Sequence, residues 1–247
     1  MSFNRPTDIR YRKFLGTLHQ NVTVDWYLEV GCRQGHSLAH SRSKSIAVDP
    51  FFRMETNVIN EKPVFHTFQM TSDAFFGSGF LEKNDIRLGL SFLDGMHLFE
   101  YLLRDFIATE RNSLENGFIM LHDCCPFDSD MTTRDLDNLP PGAWTGDVWK
   151  LIPILQQYRP DLTMTVLGCK PSGLVIINGL NPDDDTLTRN YDKIVADHVD
   201  VSIDDYGPDK FYGLFDYTKA EDVSNNGYAF FDSIAINSEA VPQWVTP

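Results

Sequence analysis

Short apolar runs alternate with amphipathic stretches between residues 25 and 180 of this 247-residue chain. Runs typical of buried strands are "DWYLEVG", "KSIAVDP", "VFHTFQM", "LGLSFLDG" and "NGFIMLHD". Helical spacing is found in "TDIRYRKFLGTLHQ", "HSLAHSRS" and "SDAFFGSGFLEK", and the apolar residues of 99–107 share one helical face. This alternation predicts a mostly parallel α/β sheet covered by helices on both faces.

The end of this series has a different pattern. "LTMTVLGC" and "GLVIINGL" are two apolar runs joined by the turn "KPSG", which predicts a β-hairpin and therefore one antiparallel edge strand. Before them, "DVWKLIPILQQY" has helical spacing, and Pro153 should kink or delimit that helix.

The chain divides into a main domain and an extension. We predict a main domain over residues 1–180, with an N-terminal helical segment at 1–24 capped by Thr7 or Asp8. Residues 181–247 show no clear period and are interpreted as an extension packed on the same domain.

Composition and charge narrow the range of possible partners and of cellular locations. The hydrophobic content of 42% is typical of a globular protein, and no apolar run reaches the length of a membrane span. The net charge of −14 argues against nucleic acid or an anionic membrane as a partner. The polar N-terminus lacks the apolar core of a signal peptide, and the four cysteines show no paired spacing, so we expect a cytoplasmic protein with reduced thiols. The sequence leaves open whether the chain forms a homo-oligomer.

Acidic residues or glycines follow each of the first five predicted strands. Ligands of open parallel sheets bind at the carboxyl ends of the strands, so these positions are the candidate site. They are Glu29, Gly31, Gly35, Asp49, Ser72, Asp73, Asp94, His97, His122 and Asp123.

The first three of these strand ends favour a nucleoside-bearing cofactor. In "LEVGCRQG", Gly31 permits a tight turn and Gly35 lets the next segment approach, while Arg33 takes the place of the middle glycine of a dinucleotide motif. A pyrophosphate fits poorly there, whereas a cofactor without phosphates does not need that glycine. Asp49 is placed to accept ribose hydroxyls, and Asp73 could accept a hydrogen bond from an adenine amino group. The alternative is that glycine turns and capping acids simply terminate strands.

The ordered set of motifs resembles a known family. "YLEVGCRQG", "IAVDP", "TSD", "LSFLDGMHLFEYLLRDF" and "GFIMLHDCCP" are similar to class I S-adenosylmethionine-dependent methyltransferases over about residues 25–180. The closer likeness is to a branch with an Asp-Gly-x-His motif after the fourth strand and a His-Asp-x-x-Pro motif after the fifth. That branch includes enzymes of glycan, glycoside and antibiotic tailoring. The resemblance implies a Rossmann-like three-layer sandwich whose seven-stranded sheet has an antiparallel last strand.

The resemblance also implies roles for the candidate residues. The methionine part of S-adenosylmethionine would lie against Glu29, Gly31 and Gly35, its ribose against Asp49, and its adenine against Ser72 and Asp73. Asp94 would lie beside the methyl group. Arg33 departs from the family's glycine motif.

In that fold the first, fourth and fifth strands are neighbours, so Asp94 and Asp123 would point into one space. Two close carboxylates repel each other unless they are protonated or bridged by a cation, and oxygen ligands favour Mg²⁺, Mn²⁺ or Ca²⁺. His97 would take the proton of an acceptor hydroxyl, and His122 is the next candidate catalytic residue. The alternative is structural: a turn at Asp94, a helix cap at His97 and a loop contact at Asp123.

Two further features remain as alternatives. His122, Cys124 and Cys125 could suggest zinc, but adjacent residues of an extended strand point to opposite sides, so buried thiols are favoured. The loop at residues 124–147 is long enough to be a lid over an acceptor site, with Trp144 or Trp149 as a stacking surface; equally, these tryptophans could belong to the core.

The preferred hypothesis is an S-adenosylmethionine-dependent O-methyltransferase that acts on a hydroxyl of a small, saccharide-like acceptor, with or without a divalent cation. An NAD(P)-dependent Rossmann oxidoreductase is the enzymatic alternative, disfavoured by the broken glycine motif. A non-catalytic module that binds S-adenosylmethionine is the alternative from another functional class.

Overall fold

The computed structural model describes residues 2–236, which are organised around a seven-stranded sheet in the order β3-β2-β1-β4-β5-β7-β6. Strands β1 to β5 are parallel, and β7 runs antiparallel to both of its neighbours, β5 and β6. The predicted α/β fold and its antiparallel edge pair are therefore confirmed, with β6 as the outermost strand. The strands are β1 (Trp26–Val30), β2 (Lys44–Val48), β3 (Phe65–Phe68), β4 (Leu88–Leu93), β5 (Ser113–His122), β6 (Thr163–Leu167) and β7 (Leu174–Asn178).

Helices cover the sheet on both faces. Successive side chains of a strand point to opposite sides, and here both sides carry apolar side chains that must be buried. In β5, Ile119 and Leu121 belong to one hydrophobic cluster, and Phe118 and Met120 to the other. The helices are α1 (Tyr11–Asn21), α2 (Ser72–Gly77), α3 (Phe80–Lys83), α4 (Phe99–Arg111), α5 (Leu151–Tyr158), α6 (Thr186–His198), α7 (Ile203–Tyr206), α8 (Pro208–Tyr212) and α9 (Ala220–Asn225). None of the helices within residues 2–236 is long and apolar enough to cross a membrane.

Helix α1 begins at Tyr11, not at Thr7 or Asp8 as predicted. The preceding backbone is extended and pairs with residues 168–170: the Asp8 N–H donates to the Gly168 carbonyl at 2.9 Å and the Tyr11 N–H to the Lys170 carbonyl at 3.0 Å. The Asp8 carboxylate accepts from the Ala220 N–H at 2.5 Å. A contact distant in sequence thus takes the residues that local spacing assigns to a first helical turn.

Two other predicted helices are shorter than expected. The segment "HSLAHSRS" forms only a 3₁₀ turn at Leu38–His40. The buried ammonium of Lys62 donates to the carbonyls of Leu38 and Ser41 at 2.7 and 2.8 Å, which are groups that a longer helix would use internally. The helix predicted over "DVWKLIPILQQY" begins as α5 only at Leu151, after a 3₁₀ turn at Val148–Lys150. Pro153 is the third residue of α5 and is tolerated there because the first-turn N–H groups have no partner within the helix.

The predicted extension contributes to both faces of the sheet. Leu187 and Ile194 of α6 are buried in the same cluster as α4 and α5, and Phe231 is buried in the opposite cluster. Residues 237–247 of the predicted extension lie outside the described residues. The domain boundary at residue 180 remains a prediction.

Candidate active site

The strand register brings three loops to one edge of the sheet. Val30, the last residue of β1, pairs with Leu93, the last residue of β4, and Leu93 pairs with Leu121 in β5. The residues that follow these strands are therefore neighbours, as the sequence predicted.

The glycine loop after β1 touches the loop after β4. Gly31 has a φ of 87°, and a Cβ atom there would lie 1.9 Å from the carbonyl oxygen of Asp94. Gly35 has a φ of 78°, and a Cβ there would lie 2.3 Å from a methyl carbon of Val58. Both positions require glycine because a side chain would be strained and would collide with the neighbouring loop.

Asp49 joins the glycine loop to the loop after β2. One carboxylate oxygen accepts from the backbone N–H of Arg33 at 2.8 Å, and the other accepts from that of Phe51 at 2.6 Å. Arg33 itself has a φ of 32°, a left-handed conformation at the position where the dinucleotide motif has glycine. The hydrogen bond from the Arg33 N–H to the Asp49 carboxylate stabilises this unusual turn.

Glu29 lies beneath the same loop and is fully buried. Its two oxygens accept from Ser37 at 2.6 Å and from Tyr27 at 2.7 Å. Burial raises the pKa of Glu29 to about 7, although these two hydrogen bonds favour the charged form. Both contacts are internal to the fold, so Glu29 supports the glycine loop.

Ser72 and Asp73 form the first residues of α2, where Thr71 is the N-cap. The Asp73 carboxylate is held by the Arg104 guanidinium in a two-bonded ion pair, at 2.8 and 2.7 Å. The residues that follow β3 therefore contact α4.

Asp105 is a buried carboxyl near Ser72 that sequence reasoning missed. It lies on α4, is 2% exposed, and contacts Ser72. Burial raises its pKa from 3.8 to about 7. A signal was present, since Asp105 follows Leu102 by three residues and precedes Phe106, which places a carboxylate on the apolar face of the helix.

Two carboxylates and two imidazoles form the centre of the site. His122 Nδ1 is 3.1 Å from Asp94 Oδ1 and 3.3 Å from Asp123 Oδ1. His97 Nε2 is 3.5 Å from Asp94 Oδ1 and 3.5 Å from Asp123 Oδ2. The hydroxyl of Ser172 donates to Asp123, whose φ of 62° is left-handed. The predicted convergence of these four residues is present in the structure.

The tautomer of His97 follows from the hydrogen-bond partner of its Nδ1 atom. Nδ1 is 2.9 Å from the backbone carbonyl of Trp144, and a carbonyl can only accept, so Nδ1 carries a proton. Nε2 therefore faces two carboxylates and needs a proton or a cation between them. Burial alone lowers the pKa of His97, but contact with Asp94 and the charge of Asp123 outweigh it and raise the pKa to about 9.

Tyr11, another residue that sequence reasoning missed, covers His122. The two ring centroids are 3.8 Å apart, and within residues 2–236 the buried Nε2 of His122 has no hydrogen-bond partner. Burial works against the charge of His122, but Asp123 and Asp94 outweigh it and raise its pKa. No local signal in the sequence connects Tyr11 with His122, because their contact depends on the N-terminal segment pairing with residues 168–170.

Three potential metal ligands lie close together at this centre. One donor atom from each of Asp94, His97 and Asp123 lies within 4.8 Å of the others. Cys124 and Cys125 are not part of this group, and both thiols are buried. The structure thus adds His97 to the predicted carboxylate pair.

The two tryptophans of the long loop have different positions. Trp144 is half-buried, and its ring centroid lies 4.9 Å from that of His97. Trp149 is 1% exposed and packs edge-on against Tyr206 and Phe211. Trp144 therefore belongs to the candidate site, whereas Trp149 belongs mainly to the core.

No protein-family model matches this chain, and no curated protein is significantly similar to it in sequence. Similar folds are found among solved structures. The structure of cofactor-bound Rv0187 from MTB aligns with a TM-score of 0.52 and 13% identity over 70% of this chain and 80% of that chain. The chain shares the fold of that protein.

Two further solved structures align less closely. The O-methyltransferase TomG from Streptomyces achromogenes, in complex with SAM, has a TM-score of 0.48 and 16% identity over 69% of this chain and 80% of that chain. An O-methyltransferase from Bacillus cereus, in complex with SAH, has a TM-score of 0.47 and 15% identity over 68% and 79% of the respective chains.

Proposed function

We propose that this protein is an S-adenosylmethionine-dependent O-methyltransferase acting on a hydroxyl of a small, saccharide-like acceptor. The observation that carries the proposal is the convergence of Asp94, His97, His122 and Asp123 beside the Gly31 loop. A proton acceptor flanked by carboxylates at this edge suits removal of a proton from an acceptor hydroxyl. The motif resemblance supplies the identity of the cofactor.

The residues around the glycine loop are compatible with S-adenosylmethionine. Gly31 and Gly35 keep the loop surface free of side chains, and each Asp49 oxygen retains a lone pair after accepting one backbone N–H. Asp49 would hold the ribose, the glycine loop the methionine part, and Ser72 with Asp73 the adenine. When bound, this cofactor supplies an electrophilic methyl group.

His97 is the proposed general base. In its neutral form, Nε2 would accept the proton of the acceptor hydroxyl, while the bound cofactor would supply the methyl group and leave as S-adenosylhomocysteine. Asp94 and Asp123, both at 3.5 Å from Nε2, stabilise the resulting imidazolium. The carbonyl of Trp144 orients the ring through Nδ1. His97 thus moves the proton of the acceptor hydroxyl, and the other three residues position or stabilise the His97 ring.

A divalent cation bound by Asp94, Asp123 and His97 is the second candidate form of the site. The observation in its favour is that their donor atoms lie within 4.8 Å of one another. Mg²⁺ or Mn²⁺ there would supply Lewis-acid chemistry to an acceptor hydroxyl. A cation on Nε2 and a proton on Nε2 exclude each other, so the two forms can be distinguished by experiment.

Calorimetric titration tests the cofactor first. We expect the chain to bind S-adenosylmethionine and S-adenosylhomocysteine, but not NAD. Asp49→Ala should weaken binding by about 1.5–3 kcal/mol, since charge-assisted hydrogen bonds are lost. Asp25→Ala is the matched control, because Asp25 precedes the opposite end of β1 and pairs with Lys44.

Methyl transfer to a panel of sugars and phenols then tests catalysis. Binding of NAD instead of S-adenosylhomocysteine would support the oxidoreductase alternative. Cofactor binding without transfer to any member of the panel would support the non-catalytic alternative.

A further inference from the structure

An open cavity of about 790 Å³ lies between the loop at residues 129–141 and the segment at residues 199–204 of the predicted extension. Its floor includes Asp147, Trp149 and Lys150. This volume is in the range of sites that bind small organic ligands. The cavity is lined by none of the four residues at the centre of the active site, so it is a separate recess.

The floor retains hydrogen-bond donors. Within residues 2–236, the buried indole N–H of Trp149 has no hydrogen-bond partner. The ammonium of Lys150, which is 2% exposed, donates to Asp147 Oδ2 at 2.7 Å and to the Val199 carbonyl at 3.3 Å. These contacts use two of its three donors. The floor is thus formed in part by buried polar side chains with unused hydrogen-bonding capacity.

The residues at the rim of the cavity supply hydrogen-bond acceptors and give the cavity lining a net negative charge. Carboxylates of Asp130, Asp200 and Asp204 line it, together with hydroxyls such as that of Thr132. Counting Asp147, the lining holds four carboxylates against two cations, Lys150 and Arg134. An anionic ligand would be repelled, whereas a neutral ligand rich in hydroxyl groups could donate hydrogen bonds to the rim carboxylates.

Part of the cavity wall is apolar. Leu139, Pro140 and Pro141 line it, and Leu139 is 45% exposed. A sugar ring has both hydroxyl edges and C–H faces, so it can use polar and apolar walls together. A small inorganic ion has no apolar surface and could use only the polar walls.

Two contacts connect the cavity with the catalytic histidine. Thr133 lines the cavity, and its carbonyl accepts the indole N–H of Trp144 at 2.9 Å, while the Trp144 ring packs on His97. Asp147 on the floor donates its N–H to the His97 carbonyl at 3.2 Å and accepts from the Phe99 N–H at 2.9 Å. The wall of the cavity is thus continuous with the contacts that hold His97.

We propose that this cavity binds a neutral, polyhydroxylated ligand of the saccharide class and serves as the docking site for the non-reacting part of the acceptor. Its assignment to the acceptor rests on the proposed function. The predicted extension then has a role in acceptor recognition, since residues 199–204 form one wall.

Direct binding to the full chain tests the proposal without relying on turnover. The probes are methyl glycosides of glucose, galactose and mannose, with maltose and cellobiose, followed by saturation-transfer NMR and calorimetry. Glucose 6-phosphate is the anionic comparison. We expect at least one neutral glycoside to bind at least tenfold more tightly than glucose 6-phosphate.

Variants localise the binding. Val201→Trp fills the cavity from the extension and should weaken glycoside binding at least tenfold. Val223→Trp is the matched control, because Val223 is also half-buried but lies away from this cavity. Asp204→Asn changes an exposed rim carboxylate, should leave the fold intact, and should weaken binding at least threefold. Circular dichroism checks that each variant is folded.

The outcomes separate this inference from the proposed function. It is overturned if no glycoside binds, if glucose 6-phosphate binds more tightly, or if folded Val201→Trp and Asp204→Asn both bind like the control. Titration with S-adenosylhomocysteine is independent of the cavity. Glycoside binding without S-adenosylhomocysteine binding would refute the methyltransferase and leave the saccharide site supported.

Discussion

At the scale of single residues, the chemistry depends on which nitrogen of His97 carries a proton. The Trp144 carbonyl fixes a proton on Nδ1, so Nε2 is the nitrogen that faces Asp94 and Asp123. A base must be neutral to accept a proton. Because the pKa of His97 is raised to about 9, we expect the cation-free form of the proposed methyltransferase to gain activity as pH rises towards 9.

His97→Gln should lower kcat by about 10²–10⁴-fold, the usual contribution of a general base, and should remove the acid limb of the pH–rate profile. S-adenosylhomocysteine affinity should change little. His66→Gln on β3 is the control, because it removes a half-buried imidazole elsewhere on the sheet. Retention of both the rate and the acid limb in His97→Gln would move the base to His122.

The cation and the His97 proton compete for the same space. Calorimetric titration with Mg²⁺ or Mn²⁺ in buffers of different ionisation enthalpy should show release of about one proton below pH 9. Asp123→Asn should weaken cation binding by at least tenfold, because one of the anionic ligands is lost. Turnover in EDTA, and after Mg²⁺ is added back, measures whether the cation is required. Binding without proton release would show that the cation does not use His97.

At the scale of elements, helix α1 is connected to the proposed catalytic centre by its first residue. The extended segment before it pairs with residues 168–170, and this pairing carries the Tyr11 ring onto His122 at 3.8 Å. The strands β4 and β5 position the polar groups, but an element from the other end of the chain covers them. The sequence predicted α1 and did not predict this contact.

Tyr11→Ala should lower kcat by about ten- to hundredfold, because His122 loses the ring that limits its orientation. Tyr11→Phe should restore most of kcat, since the aromatic ring and not the hydroxyl contacts His122. The Kd for S-adenosylhomocysteine should be similar in both variants. Tyr101→Ala, at a partly exposed position on α4, is the control. Equal loss of activity in the Phe and Ala variants would assign the role to the hydroxyl.

At the scale of the whole molecule, buried ionisable groups make stability depend on pH. Asp105 has a pKa of about 7 in the folded chain, against 3.8 when unperturbed. The folded state therefore holds this proton more strongly, and its contribution to stability is lost as pH rises from about 4 through 7. Burial lowers the pKa of His19 to about 3, so its contribution to stability is lost as pH falls below 6.5. The stability of the parent protein as a function of pH is therefore the sum of two opposite contributions.

Comparison of a variant with the parent isolates the Asp105 contribution. Asp105→Asn should unfold with nearly the same free energy as the parent at pH 4, and should be more stable at pH 8 by roughly 2–4 kcal/mol. Urea unfolding at the two pH values measures this difference. Asp192→Asn, at an exposed position on α6, is the control. An Asp105→Asn variant that is less stable than the parent at pH 8 would mean that the carboxylate makes a favourable contact when charged.

The sequence by itself determined the strands, the antiparallel pair and the polar residues at the strand ends. These features depend on local patterns: short apolar runs form buried strands, and a chain of parallel strands necessarily brings its carboxyl ends to one edge. The convergence of Asp94, His97, His122 and Asp123 could be predicted for this reason.

Only the tertiary structure decided which groups complete the site. The start of α1 at Tyr11, the ring on His122, the carbonyl of Trp144 on His97 and the contact of Asp105 with Ser72 all join residues distant in sequence. Local spacing carries no information on such contacts, because they form only when separate elements pack on the sheet. The cavity beside residues 199–204 has the same origin, since its two walls come from segments about 60 residues apart in the chain.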